Sequence, residues 1–210
     1  MGMSAFEAHV VNVTATIQNA TDISTAAVIY GTTFPQEILH NPVTLSLSQS
    51  FTDSGATGVD YKIKQKPKCM NAAGAYAQVT EDAQGNFVCP TDYVKMPLLC
   101  PFLSKTSNVQ GDNSISSFHG PIDKDLWTNA ISEQFKATGH LELNDNPSTT
   151  WDIDLHVPCF AGQCGQDWAG YVLKANPDAD PNAYLINPNL KGQQLGCDLW
   201  YELTAVNRDN

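Results

Sequence analysis

Pro42-Val43-Thr44-Leu45-Ser46-Leu47-Ser48-Gln49-Ser50-Phe51 sets the reading of the whole chain. Val43, Leu45, Leu47 and Phe51 share one parity and the hydroxyl side chains take the other, as a strand with one buried face requires. Three further segments repeat the pattern. Val59, Tyr61 and Ile63 alternate with Asp60, Lys62 and Lys64; Trp151, Ile153, Leu155 and Val157 alternate with Asp152, Asp154 and His156; Leu199, Tyr201 and Leu203 alternate with Trp200, Glu202 and Thr204. Weaker strands are expected at 23–30, 92–99 and 139–144, bounded by Gly, Pro and Asn. Segments that bury one face each predict a mainly β two-sheet sandwich.

Short helices interrupt it. Pro121 and the acids after it open a segment in which Ile122, Leu126, Ala130, Ile131 and Phe135 recur near helical spacing, ending at Gly139. Asp167 to Ala175 is a second helix, stopped by Asn176-Pro177. The turn-rich stretch 66–118 holds three cysteines and reads as a disulfide-pinned excursion from a single sandwich domain spanning 11–210.

The six cysteines are Cys69, Cys89, Cys100, Cys159, Cys164 and Cys197, an even number that suits an oxidising compartment. Cys159 and Cys164 are close enough in sequence to close a short loop between Pro158 and Gly165; the other pairings stay open. A zinc site is not indicated, because no C-x2-C pair occurs. Eleven Lys and Arg against 22 Asp and Glu give a net charge of −11, which opposes contact with a phosphate backbone. Nucleic acid is therefore not an expected partner. No apolar run reaches the roughly 18 to 20 residues of a membrane-spanning helix. The start, Met1-Gly2-Met3, lacks the basic and apolar regions of a signal peptide and reads as a mature exported form.

Candidate chemistry is sparse. Gly162-Gln163-Cys164-Gly165-Gln166-Asp167-Trp168 is similar to the nucleophile segment of papain-like proteases, but Asp167 replaces that family's second cysteine and all five histidines precede Cys164. The base of such an enzyme lies far downstream of its nucleophile. Asp152, Asp154 and His156 project from one strand face at intervals of about 6.8 Å, where neighbours could share a metal, but a solvated face is the better explanation and no metal site is expected. Asn176, Asp178, Asp180 and Asn182 alternate oxygen ligands as a calcium loop does, without its turn glycine or distal glutamate. No H-E-x-x-H, G-x-S-x-G or P-loop motif occurs. The expectation is a non-enzymatic protein with no cofactor. Asn12-Val13-Thr14 and Asn19-Ala20-Thr21 are glycosylation sequons.

The N-terminus breaks parity. Apolar residues from Ser4 to Val10 are mostly even and those from Val11 to Ile17 odd, so the phase flips at Val10-Val11. Such a flip marks a bulge or a strand whose halves serve different sheets.

Ala5-Phe6-Glu7-Ala8-His9-Val10-Val11-Asn12-Val13-Thr14-Ala15-Thr16-Ile17, then Ile29-Tyr30-Gly31-Thr32-Thr33-Phe34-Pro35-Gln36-Glu37 and the strand from Val43, resembles the TasA/camelysin-like group of secreted proteins over about the first 50 residues. The remainder looks like a cysteine-bearing bacterial branch. The resemblance implies an extracellular or cell-surface structural subunit of a fibre or biofilm matrix, with a jelly-roll body, that polymerises head to tail with copies of itself. Residues 1–10 would then be a donor-strand segment, inserting Phe6, Ala8 and Val10 into the neighbouring subunit. The alternative is a monomeric secreted binding module or adhesin, with matrix or surface polysaccharide as partner and Trp200 as a sugar platform.

Overall fold

Four antiparallel sheets and three short α-helices make up the computed structural model, which describes residues 19–109 and 112–208. The expected donor segment with Phe6, Ala8 and Val10, the phase flip and Asn12 lie outside the described residues. In chain order the strands are β1 (Thr21–Ile23), β2 (Ile38–Leu39), β3 (Pro42–Leu47), β4 (Gly58–Lys66), β5 (Lys68–Asn71), β6 (Tyr76–Gln78), β7 (Thr80–Glu81), β8 (Phe87–Val88), β9 (Tyr93–Lys95), β10 (Leu103–Ser107), β11 (Ala137–Glu142), β12 (Ser148–His156) and β13 (Asp198–Asn207). The helices are α1 (Gln49–Thr52), α2 (Asn129–Gln134) and α3 (Trp168–Ala175).

The first large sheet runs β1-β3-β12-β10, with β2 also on β12, and the second runs β11-β4-β13. Their inward faces share one apolar cluster: Leu45, Trp151 and Ile153 from the first, and Val59, Tyr61, Ile63, Ala137 and Leu141 from the second. These are the parities expected from the sequence. Trp151 donates its indole N–H to the Tyr61 hydroxyl at 2.8 Å, so the largest ring in the cluster keeps its polar group satisfied. Gly139 stands opposite Tyr61 in the β11–β4 ladder, and a β-carbon there would run into the phenol. Only glycine fits that close approach.

The strand expected over 42–51 ends at Leu47. Ser48 accepts from Phe51 N–H at 3.1 Å and caps α1, while its own hydroxyl donates to the Asn19 carbonyl. Phe51 is buried in the same cluster from a helical turn, because a one-turn helix and a continued strand both return that position to the inward face. The helix expected from Pro121 is likewise divided. A 3₁₀ turn over Lys124–Leu126 and α2 flank Trp127, which is fully buried and donates to the Pro121 carbonyl; Thr128 then caps α2. The helix expected from Asp167 is present as α3.

The expected strand at 23–30 is realised only as β1, and 92–99 only as β9, after which Met96 and Leu98 turn inward. The expected 139–144 strand appears as β11. The excursion is smaller than 66–118, since β10 returns to the first large sheet beside β12. What precedes it forms two small sheets, β6-β5-β9 and β7-β8, over a cluster containing Cys69, Phe87, Leu98, Cys100 and Trp127. All six cysteines are paired: Cys69–Cys89, Cys100–Cys197 and the anticipated Cys159–Cys164.

The outward parity of β4 is not left to water. Lys64, nearly buried, meets Glu133 of α2 and Glu202 of β13 at 2.9 Å each, and Lys62 meets the same two carboxylates at 2.6 and 3.2 Å. Burial alone would raise the Glu133 carboxyl, but hydrogen bonds from Lys62, Lys64 and Lys136 outweigh it and hold it down at about 2. Glu133→Gln is expected to cost about 2 kcal/mol in a urea melt, the usual worth of a hydrogen bond to a charged group, because it leaves two ammonium groups sharing Glu202 alone. An unchanged midpoint would show that Glu202 suffices.

Candidate assembly edge

The ten residues of β13 form the longest described strand, and among the described strands it lies at a sheet edge. It pairs with β4 along its whole length, shifting register by a bulge between Leu203 and Ala205, and with no other described strand. Its second side is therefore a row of backbone donors and acceptors with no partner among the described residues, the feature that makes an edge a template for another chain. No proline or lysine interrupts it, and on either side of the bulge Leu203 and Val206 are 41% and 49% exposed.

The first large sheet ends nearby in a second edge, β1, which pairs only with β3 among the described strands. Tyr201 links the two margins. Its ring packs on Tyr61 at a centroid distance of 4.9 Å, and Thr21 of β1 approaches its hydroxyl without closing a hydrogen bond, so that buried oxygen has no partner among the described residues. Burial raises the phenol to about 12, against a smaller lowering by Thr21. Leu47, Ala20, Leu199 and Tyr201 pack only partly on the main cluster. The apolar layer thus reaches the gap between β1 and β13 without being closed over by described backbone.

The outer face of β13 is committed elsewhere. Glu202 holds Lys62 and Lys64, and the Lys66 ammonium lies 3.4 Å from the centre of the Trp200 ring. Trp200 is half-buried beneath that lysine and is not the exposed platform its parity suggests. Lys66 itself is buried, and its amine is lowered chiefly by burial.

The other sequence candidates are drawn apart. Asp154 binds the His40 imidazole at 2.9 Å, and His156 binds the Ser117 hydroxyl at 2.7 Å through Nδ1, while Asp152 is exposed. Burial lowers the His156 imidazole first of all. Asn176 accepts from Asp178 N–H and Asp180 accepts from Asn182 N–H, so the calcium-like alternation is explained by two local turns. Among the described residues no group of three or more His, Cys, Asp or Glu side chains is arranged to hold a metal ion. Cys164 is bonded to Cys159 and carries no thiol for the protease-like reading. No described helix is long and apolar enough to cross a membrane.

Sequence reasoning identified β13 as a strand but missed that it lies at a margin, which depends on its neighbours and not on its own pattern. No protein-family model, curated protein or solved structure matches this chain.

Proposed function

We propose that the chain is a structural subunit of an extracellular fibre or biofilm matrix, of the TasA/camelysin-like kind and with a jelly-roll body. Residues 4–10 of one copy would pair with an open sheet margin of the next and bury Phe6, Ala8 and Val10 in it. The observation that carries this reading is β13, ten residues free of proline and lysine that have one strand partner among the described residues, beside an apolar layer that the described backbone leaves partly covered. Strand addition supplies what such an edge lacks: ladder hydrogen bonds along the backbone and apolar side chains at alternate positions. Ordering a free segment costs roughly 1 to 2 kcal/mol per residue, and a ladder together with a buried Phe and Val is of the size needed to offset it. The three disulfides fit an oxidising compartment, as an extracellular subunit needs.

Deletion of residues 1–10 tests the proposal. The truncated protein is expected to keep its β-rich circular dichroism spectrum and to show no filaments by negative-stain microscopy under conditions where the full chain forms them. Filaments of normal length from the truncated chain would overturn the donor-strand reading. Dispersed full-length monomers that bind a glycan would favour the adhesin alternative.

A further inference from the structure

At the margin away from β1 and β13 the two large sheets end in β10 and β11, and one short segment closes over both. Ile115 exchanges two backbone hydrogen bonds of 2.8 Å with Lys105 of β10, while Asn113 bridges to Thr138 of β11 and donates its side-chain amide to that hydroxyl at 2.9 Å. These are isolated bridges, not a ladder. Ile115 packs on the rim of the main apolar cluster, so residues 112–116 form a flap over the side of the core. Downstream the chain is anchored: His119 N–H donates to the Pro101 carbonyl and the Asn176 side chain to the Phe118 carbonyl.

Under the flap lie two buried polar atoms with no hydrogen-bond partner among the described residues, Lys105 Nζ and Asp112 Oδ2. Lys105 stands opposite Ile153 of β12, so it projects to the inward face, and it has no exposed surface. An ammonium without water or an acceptor is costly in a packed interior. On that face β12 presents Trp151, Ile153 and Leu155, with Asp152 and Asp154 on the opposite parity, and β4 presents Tyr61 and Gln65. The flap and its continuation add Asp112, raised chiefly by burial, and His119, which burial first and then the Lys105 charge hold down at about 3. No carboxylate offsets the lysine. Burial alone acts on its amine and lowers it to about 7.

We propose that residues 112–116 are a pH-gated flap: when Lys105 Nζ takes up a proton, the flap lifts from β10 and β11, admits water to the ammonium and bares an edge of each large sheet. The closed state prefers the free amine. Closed, Lys105 titrates at about 7, and in water at its ordinary 10.5, so closure is strongest above pH 10.5, weakens as the pH falls toward 7 and weakens no further below. Lifting also gives water to Asp112 Oδ2. The bared edges of β10 and β11 are then unpaired backbone of the kind that accepts another strand.

Hydrogen exchange of the full chain at pH 6 and pH 9, corrected for intrinsic rates, tests this. The two titration values make opening about 90-fold more favourable at pH 6 than at pH 9, and the Lys105 and Ile115 amides are expected to lose protection by that factor. They are also expected to exchange at least about tenfold faster than the amides of the β4–β13 ladder, because the flap opens without the sandwich. In Lys105→Met the pH ratio is expected to shrink to a few-fold, the share of His119. Equal protection in flap and ladder overturns the proposal, as does a wild-type ratio near one or a full ratio that persists in Lys105→Met. The wild-type ratio and the flap-to-ladder comparison decide the matter even if the variant does not fold.

Discussion

Replacing Cys100 and Cys197 together with alanine is expected to lower the unfolding free energy by about 4 to 5 kcal/mol, the largest effect of any one bridge. The bond joins residues 97 apart in sequence, against 20 for Cys69–Cys89 and 5 for Cys159–Cys164. Chain entropy in the unfolded state grows with the logarithm of the loop, which gives roughly 3 and roughly 2 kcal/mol for the shorter two. Cys100 is fully buried beside the small sheets, so alanine leaves no polar atom unpaired there. For a chain of this size the double replacement corresponds to a fall in Tm of roughly 10 to 20 °C. Urea titration of the three double-alanine variants should rank them in order of loop length. A variant lacking Cys159–Cys164 that proves the weakest of the three would show that native-state geometry, not loop entropy, sets the contribution of these bridges.

Acid is expected to destabilise the fold well before its carboxylates are protonated. His119 titrates near 6.5 when unfolded and is held down to about 3 when folded, chiefly by burial. The folded state thus prefers the neutral ring. Its contribution is complete above pH 6.5 and is lost progressively as the pH falls toward 3. At 1.36 kcal/mol per pH unit the full window amounts to about 4 to 5 kcal/mol. Glu133 moves stability in the same direction but in a lower window, between its ordinary 4.5 and about 2. The two separate in a series of urea midpoints. Wild type should already fall between pH 6.5 and 4.5, and His119→Gln should fall less steeply there, keeping the part that His156 contributes. Equal slopes in both proteins above pH 4.5 would assign the acid sensitivity to other groups.

The sandwich faces were legible because period-two patterning reports burial directly. Leu45, Tyr61, Trp151 and Ile153 are all where their parity puts them. The pattern failed where a local bond competed with it. Ser48 caps a helical turn inside an apparent strand, and Thr128 starts α2 late, leaving Trp127 in a non-helical link. Alternation also treats Lys64 and Trp200 as solvated, whereas α2 and the small sheets cover that face. Lys105 was invisible for the opposite reason: lysine at an inward position of β10 breaks the pattern that identifies strands. The margin position of β13 and the hydrogen bond between Gln65 and His119 arise from long-range topology, for which residue order carries no periodic signal.

Cys197 immediately precedes β13 and is bonded to Cys100, which stands three residues before β10 in the other large sheet. A pull on β13 along its length therefore has two exits. One is the β4 ladder, loaded in shear so that its hydrogen bonds share the force instead of opening one at a time. The other is covalent, through sulfur into the opposite sheet. The strand with the most backbone to offer a neighbour is also the one that cannot be peeled away from its first residue while that bridge is closed. In the proposed fibre, the margin would hold under tension until the disulfide was reduced, which would make tensile strength a redox property.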